Sequence, residues 1–202
     1  KYLLNTLMDL TFDNIYHEHY NYWSLTSLIT FFKQFGAIIF NAEKIDTHGG
    51  SLRIYVKKNK KVKINSVVKK LLNEENKFGI KKYQTYQEFA KKVYKIRENV
   101  RKNILKLKKD NHKLVGYGSP AKATTSLNFF GISRELDSII EDNEFKQGKF
   151  LPGMKIPIIS KKDIKEKLSH LIVLAWNFFE EIKKNNKNLA EKFINIKDLE
   201  KD

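Results

Sequence analysis

The stretch Leu114-Val115-Gly116-Tyr117-Gly118-Ser119-Pro120-Ala121-Lys122 confines the second half of this chain to few folds. A Gly-x-Gly-x-x-Ala turn that follows an apolar run and opens a helix is a strand–turn–helix entry into a parallel sheet. His112 to Val115 reads as the strand, Ser119 and Pro120 suit the N-cap and first helical position, and Ala123 to Phe130 carry a helix to Gly131. Leu136 to Ile140 predicts a second short strand, ending in Glu141 and Asp142, and a loop from Asn143 to Pro157 follows. Leu171 to Trp176, with a helix after Asn177, gives a third β-α unit. This alternation implies a small α/β domain with a mainly parallel sheet.

The first half is patterned differently. Residues 1–10 read as the end of a helix, and Phe12-Asp13-Asn14 leads into a His-rich stretch. From Ser24 or Thr26, which can cap it, to Gly36, apolar residues recur three and four apart, a helix with a glycine stop. Ala37–Glu43 and Leu52–Val56 are β-rich runs either side of Gly49-Gly50, which predicts a hairpin with His48-Gly49-Gly50-Ser51 at its tip. Between Lys60 and Lys109, apolar residues at helical intervals broken at Gly79 predict two bridging helices with a solvated, lysine-rich face.

Composition narrows the function. With 41% hydrophobic residues and 14 Phe among 202, the chain can bury a core. No apolar run approaches the roughly 20 residues of a membrane span, and no charged-then-apolar leader opens the sequence, so a cytoplasmic location without membrane contact is expected. Absence of cysteine removes disulfides, thiolate nucleophiles and cysteine zinc sites together. The formal charge of +16 lies in lysine, alongside abundant Asn and Ile, as an AT-rich coding sequence would produce. Without an aromatic RNA-binding signature or a zinc finger, nucleic acid is disfavoured as a partner. Lys1 is not an initiator Met and Tyr2 to Met8 already has helical spacing, so the chain is expected to be the later part of a longer protein.

Three clusters carry chemistry. Tyr16-His17-Glu18-His19-Tyr20 sets two imidazoles beside a carboxylate and two phenols. An extended stretch would put both histidines on one side and Glu18 on the other; a turn would let all three converge. Histidine accepts a proton near neutral pH and a neighbouring carboxylate raises its basicity, which fits proton abstraction. Zinc is the lesser reading, since no third ligand stands at a recognised spacing beside the His pair and His48. His48-Gly49-Gly50-Ser51 serves either as a bare turn or as a close backbone approach to a ligand, with His48 and Ser51 donating hydrogen bonds. The turn Gly116 to Lys122, with Glu141 and Asp142 about 20 residues on, has the spacing of a dinucleotide fingerprint. It serves either a diphosphate on its backbone N–H groups or close helix–strand packing with no ligand. Lys146 and Lys149 are candidate phosphate partners.

Taken in order, FDNIYHEHYNYWSL from Phe12, THGGSLRIYV from Thr47, GYGSPAKATTSLNFFGI from Gly116, DNEFKQGKFLPGMKIPI from Asp142 and VLAWNFFEEI from Val173 resemble the second half of the S-adenosylmethionine-dependent sugar C-methyltransferases. The resemblance covers almost the whole chain. It implies the tail of a class I methyltransferase domain over 1–58, with its terminal hairpin, bridging helices over 59–110, and a Rossmann-like substrate domain over 111–202. It also implies methylation of a carbon of a nucleotide-linked 4-keto-deoxy sugar, with His19 as base, Glu18 as its partner or the alternative base, and Tyr16 orienting the sugar or its enolate oxygen. His17, His48, Ser51, Gly116, Tyr117, Gly118, Ser119, Lys122, Lys146 and Lys149 would bind the nucleotide-diphosphate sugar. S-adenosylmethionine would be held mainly by residues upstream, zinc belongs to a preceding domain of the family, and no metal is expected here. The rival is a non-catalytic or truncated module that binds a nucleotide or nucleotide sugar. Which sugar, carbon and nucleotide, and what oligomeric state, are not encoded in these blocks.

Overall fold

The computed structural model describes residues 1–47, 50–58, 61–110 and 113–201, and these pack as two compact units, Lys1–Val93 and Tyr94–Asp202. The first holds α1 (Leu3–Met8), a 3-10 turn at Phe12–Asn14, α2 (Leu25–Gln34), the strands β1 (Ile38–Ile45) and β2 (Ser51–Lys57), α3 (Ser66–Phe78) and the start of α4 (Tyr83–Asp110). β1 and β2 pair antiparallel from Ile38 opposite Lys57 to Ile45 opposite Ser51, with an irregularity between Ile39 and Asn41. That irregularity has a packing purpose. Ile39 and Ala42 are an odd number of residues apart and would face opposite sides of a regular strand; the extra residue brings both into one core with Leu25, Val68 and Leu71.

The start of α2 is fully capped. Ser24 Oγ accepts from Ser27 N at 3.0 Å while Ser27 Oγ accepts from Ser24 N at 3.1 Å. Glu75, reaching over from α3 and wholly buried, accepts from Leu25 N at 2.6 Å, Thr26 N at 2.9 Å and the Thr26 hydroxyl at 2.6 Å. The N–H groups that a helix start leaves without partners are thereby satisfied from two directions.

The second unit is built on a five-stranded sheet in the order β5-β4-β3-β6-β7, comprising β3 (Val115–Tyr117), β4 (Ser138–Ile140), β5 (Ile158–Ile159), β6 (Leu168–Val173) and β7 (Ala190–Asn195). Every pairing is parallel. α5 (Ala121–Phe130) follows β3, and a 3-10 turn at Trp176–Phe178 leads into α6 (Phe179–Asn185) after β6. The chain leaves β3 towards β4 and β5, then returns to lay β6 and β7 on the other side. The strand order therefore reverses between β3 and β6, where a doubly wound sheet opens a crevice at the carboxyl ends of its strands. Val115, Tyr117, Ile140, Leu168, Leu171 and Ala190 form the core beneath it. From the last turns of α4, Arg101 Nη1 donates to Phe130 O at 2.6 Å and Gly131 O at 3.0 Å, and Asn103 Nδ2 donates to Leu199 O at 3.0 Å, tying down the end of α5 and the final turn.

The α/β class and the mainly parallel sheet are as the sequence implies, with differences in detail. β3 starts at Val115, so Gly116 and Tyr117 are strand residues and the turn is confined to Gly118-Ser119-Pro120. Pro120, not Ser119, is the N-cap of α5 and gives it no side-chain bond. β5 and β7 are additional strands.

Candidate functional site

In the first unit the His-rich stretch is a turn, closed by His19 N donating to Tyr16 O at 2.9 Å. The turn sorts the side chains. Tyr16 and His19 are half-buried with ring centroids 4.5 Å apart, whereas His17, Glu18 and Tyr20 are exposed. Glu18 Oε1 lies 4.0 Å from His17 Nε2, a loose contact in water. His19 Nδ1 lies 2.8 Å from the carbonyl oxygen of Asn14, which also accepts the Tyr22 hydroxyl at 2.7 Å. A carbonyl only accepts, so His19 carries a proton on Nδ1 and its basic lone pair on Nε2. Burial, then the Glu18 and Asp13 carboxylates, raises the Tyr16 phenol above its ordinary value. Tyr22 is pushed up to about 12 by burial, then by Tyr16 and Asp13. Both phenols therefore stay protonated and remain donors across the neutral range.

The hairpin tip gives a mixed outcome. His48 and Gly49 lie outside the described residues. Ser51 Oγ donates to Thr47 O at 3.0 Å and so helps close the turn. Gly50 has φ +103°, and a Cβ there would stand 2.5 Å from Asn5 Nδ2, so its side chain is absent because α1 packs against it.

In the second unit the crevice has a volume of about 380 Å³ and is walled by Tyr117, Gly118 and Pro120 on one side and by the segment from Ala175 to Asn186 on the other. The two glycines of the fingerprint face the chain after β6. A Cβ on Gly116 would lie 2.9 Å from Leu174 Cδ1, and one on Gly118, where φ is +87°, 2.9 Å from Ala175 Cβ. At Gly118 the positive φ and the Ala175 contact together call for glycine, while at Gly116 the nearest atom is a terminal methyl of Leu174. Ser119 N, at the turn expected to face phosphate, donates to Glu141 Oε2 at 2.8 Å, and Ser119 Oγ donates to the same oxygen at 2.6 Å. Glu141 Oε1 takes Asn143 N at 3.1 Å. Burial presses the Glu141 carboxyl upward, but the Ser119 hydroxyl, the two N–H groups and Lys146 outweigh it and hold the group below its ordinary value.

The candidate lysines are placed unevenly. Lys146 Nζ donates to Ser119 O at 2.9 Å and lies 3.7 Å from Glu141 Oε2. Lys122 Nζ stands 4.6 Å from the centre of the Trp176 ring, and Lys149 is exposed. Also lining the crevice, the Tyr117 hydroxyl donates to Asp142 Oδ2 at 2.7 Å, and Lys161 Nζ lies 2.8 Å from Asp142 Oδ1. Burial works against the Lys161 charge, yet Asp142 and Tyr117 outweigh it and raise its pKa. Asn14, Tyr22, Lys161, Phe178 and Asn186 are members of these two sites that sequence reasoning missed. Tyr22 belongs to the FDNIYHEHYNYWSL block and was within reach; Lys161 is one lysine among many and carried no signal.

Among the described residues, no group of three or more His, Cys, Asp or Glu side chains could hold a metal ion, and no helix is long and apolar enough to cross a membrane. Residues 46–195 match the family described as the C-methyltransferase C-terminal domain. C-methyltransferase NovU of Streptomyces niveus is 33% identical to the chain over 193 residues, which cover 94% of this chain and 46% of the relative. The chain thus spans about half the length of the curated relative it matches.

Proposed function

This chain belongs to the C-methyltransferase family, and from that premise we propose that it is the acceptor half of an enzyme that deprotonates and methylates the carbon next to the ketone of a nucleotide-linked 4-keto-deoxy sugar. The observation that carries the proposal is the hydrogen bond from His19 Nδ1 to the Asn14 carbonyl, which turns the basic Nε2 outward from that anchor. In the proposed step Nε2 takes the α-proton, and the electron pair of the broken C–H bond moves onto the ketone oxygen as an enolate. A ketone α-proton is far less acidic than imidazolium, so several kcal/mol of enolate stabilisation is required. Tyr16, adjacent to His19 and kept protonated, supplies a hydrogen bond to that oxygen. Glu18 is the proposed partner of the imidazolium or the alternative base, and His17, His48 and Ser51 are proposed sugar contacts. In the second unit, the Gly116–Lys122 turn with Lys146 and Lys149 is the proposed nucleotide-binding region, centred on the crevice.

The family implies S-adenosylmethionine as the methyl donor. The described residues do not fit it, because the glycine-rich turn that opens a helix after a strand already gives its Ser119 N–H to Glu141. The chain's own residues therefore account for the acceptor chemistry alone.

Proton abstraction can be tested apart from methyl transfer. A protein comprising this chain with its cofactor-binding region should exchange the α-proton of a 4-keto-deoxy sugar nucleotide with deuterated solvent, followed by NMR. His19→Gln should slow exchange by at least about a hundredfold. Exchange at the parental rate in that variant would exclude His19 as the base.

A further inference from the structure

We propose that Tyr22 is a positioning residue for His19: its hydroxyl shares the Asn14 carbonyl oxygen with the imidazole and weakens that oxygen's hold on the ring once Nε2 has taken a proton. The proposal rests on His19 as the base of the acceptor half and says how its proton affinity is set.

Asn14 O is a crowded acceptor. It takes Tyr16 N at 3.1 Å, the His19 ring through Nδ1 at 2.8 Å and the Tyr22 hydroxyl at 2.7 Å. A carbonyl oxygen offers two lone pairs, so these donors draw on the same electron density. The oxygen does not need the phenol to hold it in place. Asn14 is wholly buried at the end of the 3-10 turn, and its own N–H donates to Thr11 O at 3.2 Å. The Ile15 N–H, which shares one peptide plane with Asn14 O, donates to Phe12 O at 3.0 Å, so the backbone itself aims the carbonyl.

What the phenol changes is charge. When Nε2 takes the α-proton the ring becomes a cation, and its Nδ1–H bond becomes charge-assisted, stronger the more electron density the acceptor holds. The Tyr22 hydroxyl brings the positive end of its O–H dipole to that same oxygen and so disfavours the cation. A base needs this restraint. It must start the reaction unprotonated and release the proton afterwards, and an imidazole held too firmly by its carbonyl would stay an imidazolium. Burial, then Tyr16 and Asp13, pushes the Tyr22 phenol up to about 12, so it remains a donor throughout the range in which histidine titrates. The other titratable groups of the stretch are Asp13, buried and bearing on both phenols, Tyr16 against the ring, and the exposed His17, Glu18 and Tyr20. Tyr22→Phe leaves all of them in place and removes the hydroxyl alone.

The experiment uses the 202-residue chain with its histidine rings labelled with carbon-13 and nitrogen-15, titrated across the neutral range and followed by NMR. The His19 signal is the one lost in His19→Gln. Tyr22→Phe should raise the His19 midpoint by roughly half a pH unit, about a threefold gain in proton affinity, with the neutral ring still carrying its proton on Nδ1. Replacing Tyr22 with fluorotyrosine, a stronger donor of nearly the same shape, should lower the midpoint. In a protein comprising this chain with its cofactor-binding region, the acid limb of α-proton exchange should move up in Tyr22→Phe by the same amount. A midpoint that stays put or falls in Tyr22→Phe would overturn the proposal, as would loss of the Nδ1 proton there, which would make the phenol a plain scaffold. Should the midpoint shift while exchange is indifferent to His19→Gln, the coupling stands and the base assignment fails; should exchange depend on His19 with no shift, the proposal alone fails.

Discussion

Glu75 in the first unit and Glu141 in the second do the same local job. Each reaches from a distant element to a helix start, and each holds two N–H groups together with a hydroxyl: Leu25, Thr26 and the Thr26 hydroxyl in the first turn of α2 for Glu75, and Ser119 with its hydroxyl just ahead of α5, plus the neighbouring Asn143, for Glu141. Their surroundings separate them. Glu75 is wholly buried beside the Leu25, Val68 and Leu71 core, whereas Glu141 forms part of the wall of a solvent-filled crevice with Lys146 3.7 Å away. The comparison teaches that the same set of carboxylate hydrogen bonds is sealed in the core in one unit and left open to solvent on one side in the other. The hydrogen bonds are alike in both cases; the access differs.

The two clamps should therefore fail differently. Glu75→Ala strands the buried Leu25 N–H and two part-buried donors of Thr26, at about 1–3 kcal/mol for a buried group left without a partner, and should destabilise the first unit by about 3 kcal/mol. Urea unfolding read from Trp23 in a Trp176→Phe background measures it, and a loss below about 1 kcal/mol would break the contrast. Glu141→Ala lets water replace the carboxylate at Ser119 and should cost the second unit only about 1–2 kcal/mol, read from Trp176 in a Trp23→Phe background. The same variant should bind pyrophosphate more tightly than the parent in a calorimetric titration, since the Ser119 N–H is released. The smallest effect is on pH. The folded Glu141 carboxyl lies below its ordinary value of 4.5, so its contribution is complete above that value and disappears as the pH falls through the folded pKa. Solvent screening limits the change to below about 1 kcal/mol. Glu141→Gln should remove that part of the acid sensitivity in urea midpoints measured from about pH 6 to 3.

Much of this architecture was legible because local signals and tertiary structure agree. Ser24 does cap α2, glycine does end α2 and α3, and the antiparallel strand pair flanks the Gly-Gly position. What escaped is set by partners far away in sequence. β5 has two residues, too few for any pattern, and in β7 only Ala190 and Ile194 are buried while Glu191 and Lys192 face water. Ser119 before Pro120 has the form of a cap, yet Glu141, 22 residues later, competes successfully for its hydroxyl. In the His-rich turn the residue types pointed to proton transfer, but the tautomer depended on the Asn14 carbonyl, and every residue offers a carbonyl. The contrast between Glu75 and Glu141 was invisible for the same reason. Nothing in the two letters says which will meet water.

The order β5-β4-β3-β6-β7 also has a consequence for the growing polypeptide. Synthesis runs from the amino end, so β3, β4 and β5 can pair once Ile159 has left the ribosome, before β6 and β7 exist outside it. During that interval the strand that ends up at the centre of the sheet is an edge strand, with Val115, Gly116 and Tyr117 presenting the backbone groups later taken by Leu171, Ile172 and Val173. The crevice has one wall at that stage and gains the other when Phe178 to Asn186 emerges. A nascent chain paused in between has an incomplete crevice and is most able to pair with the wrong neighbour.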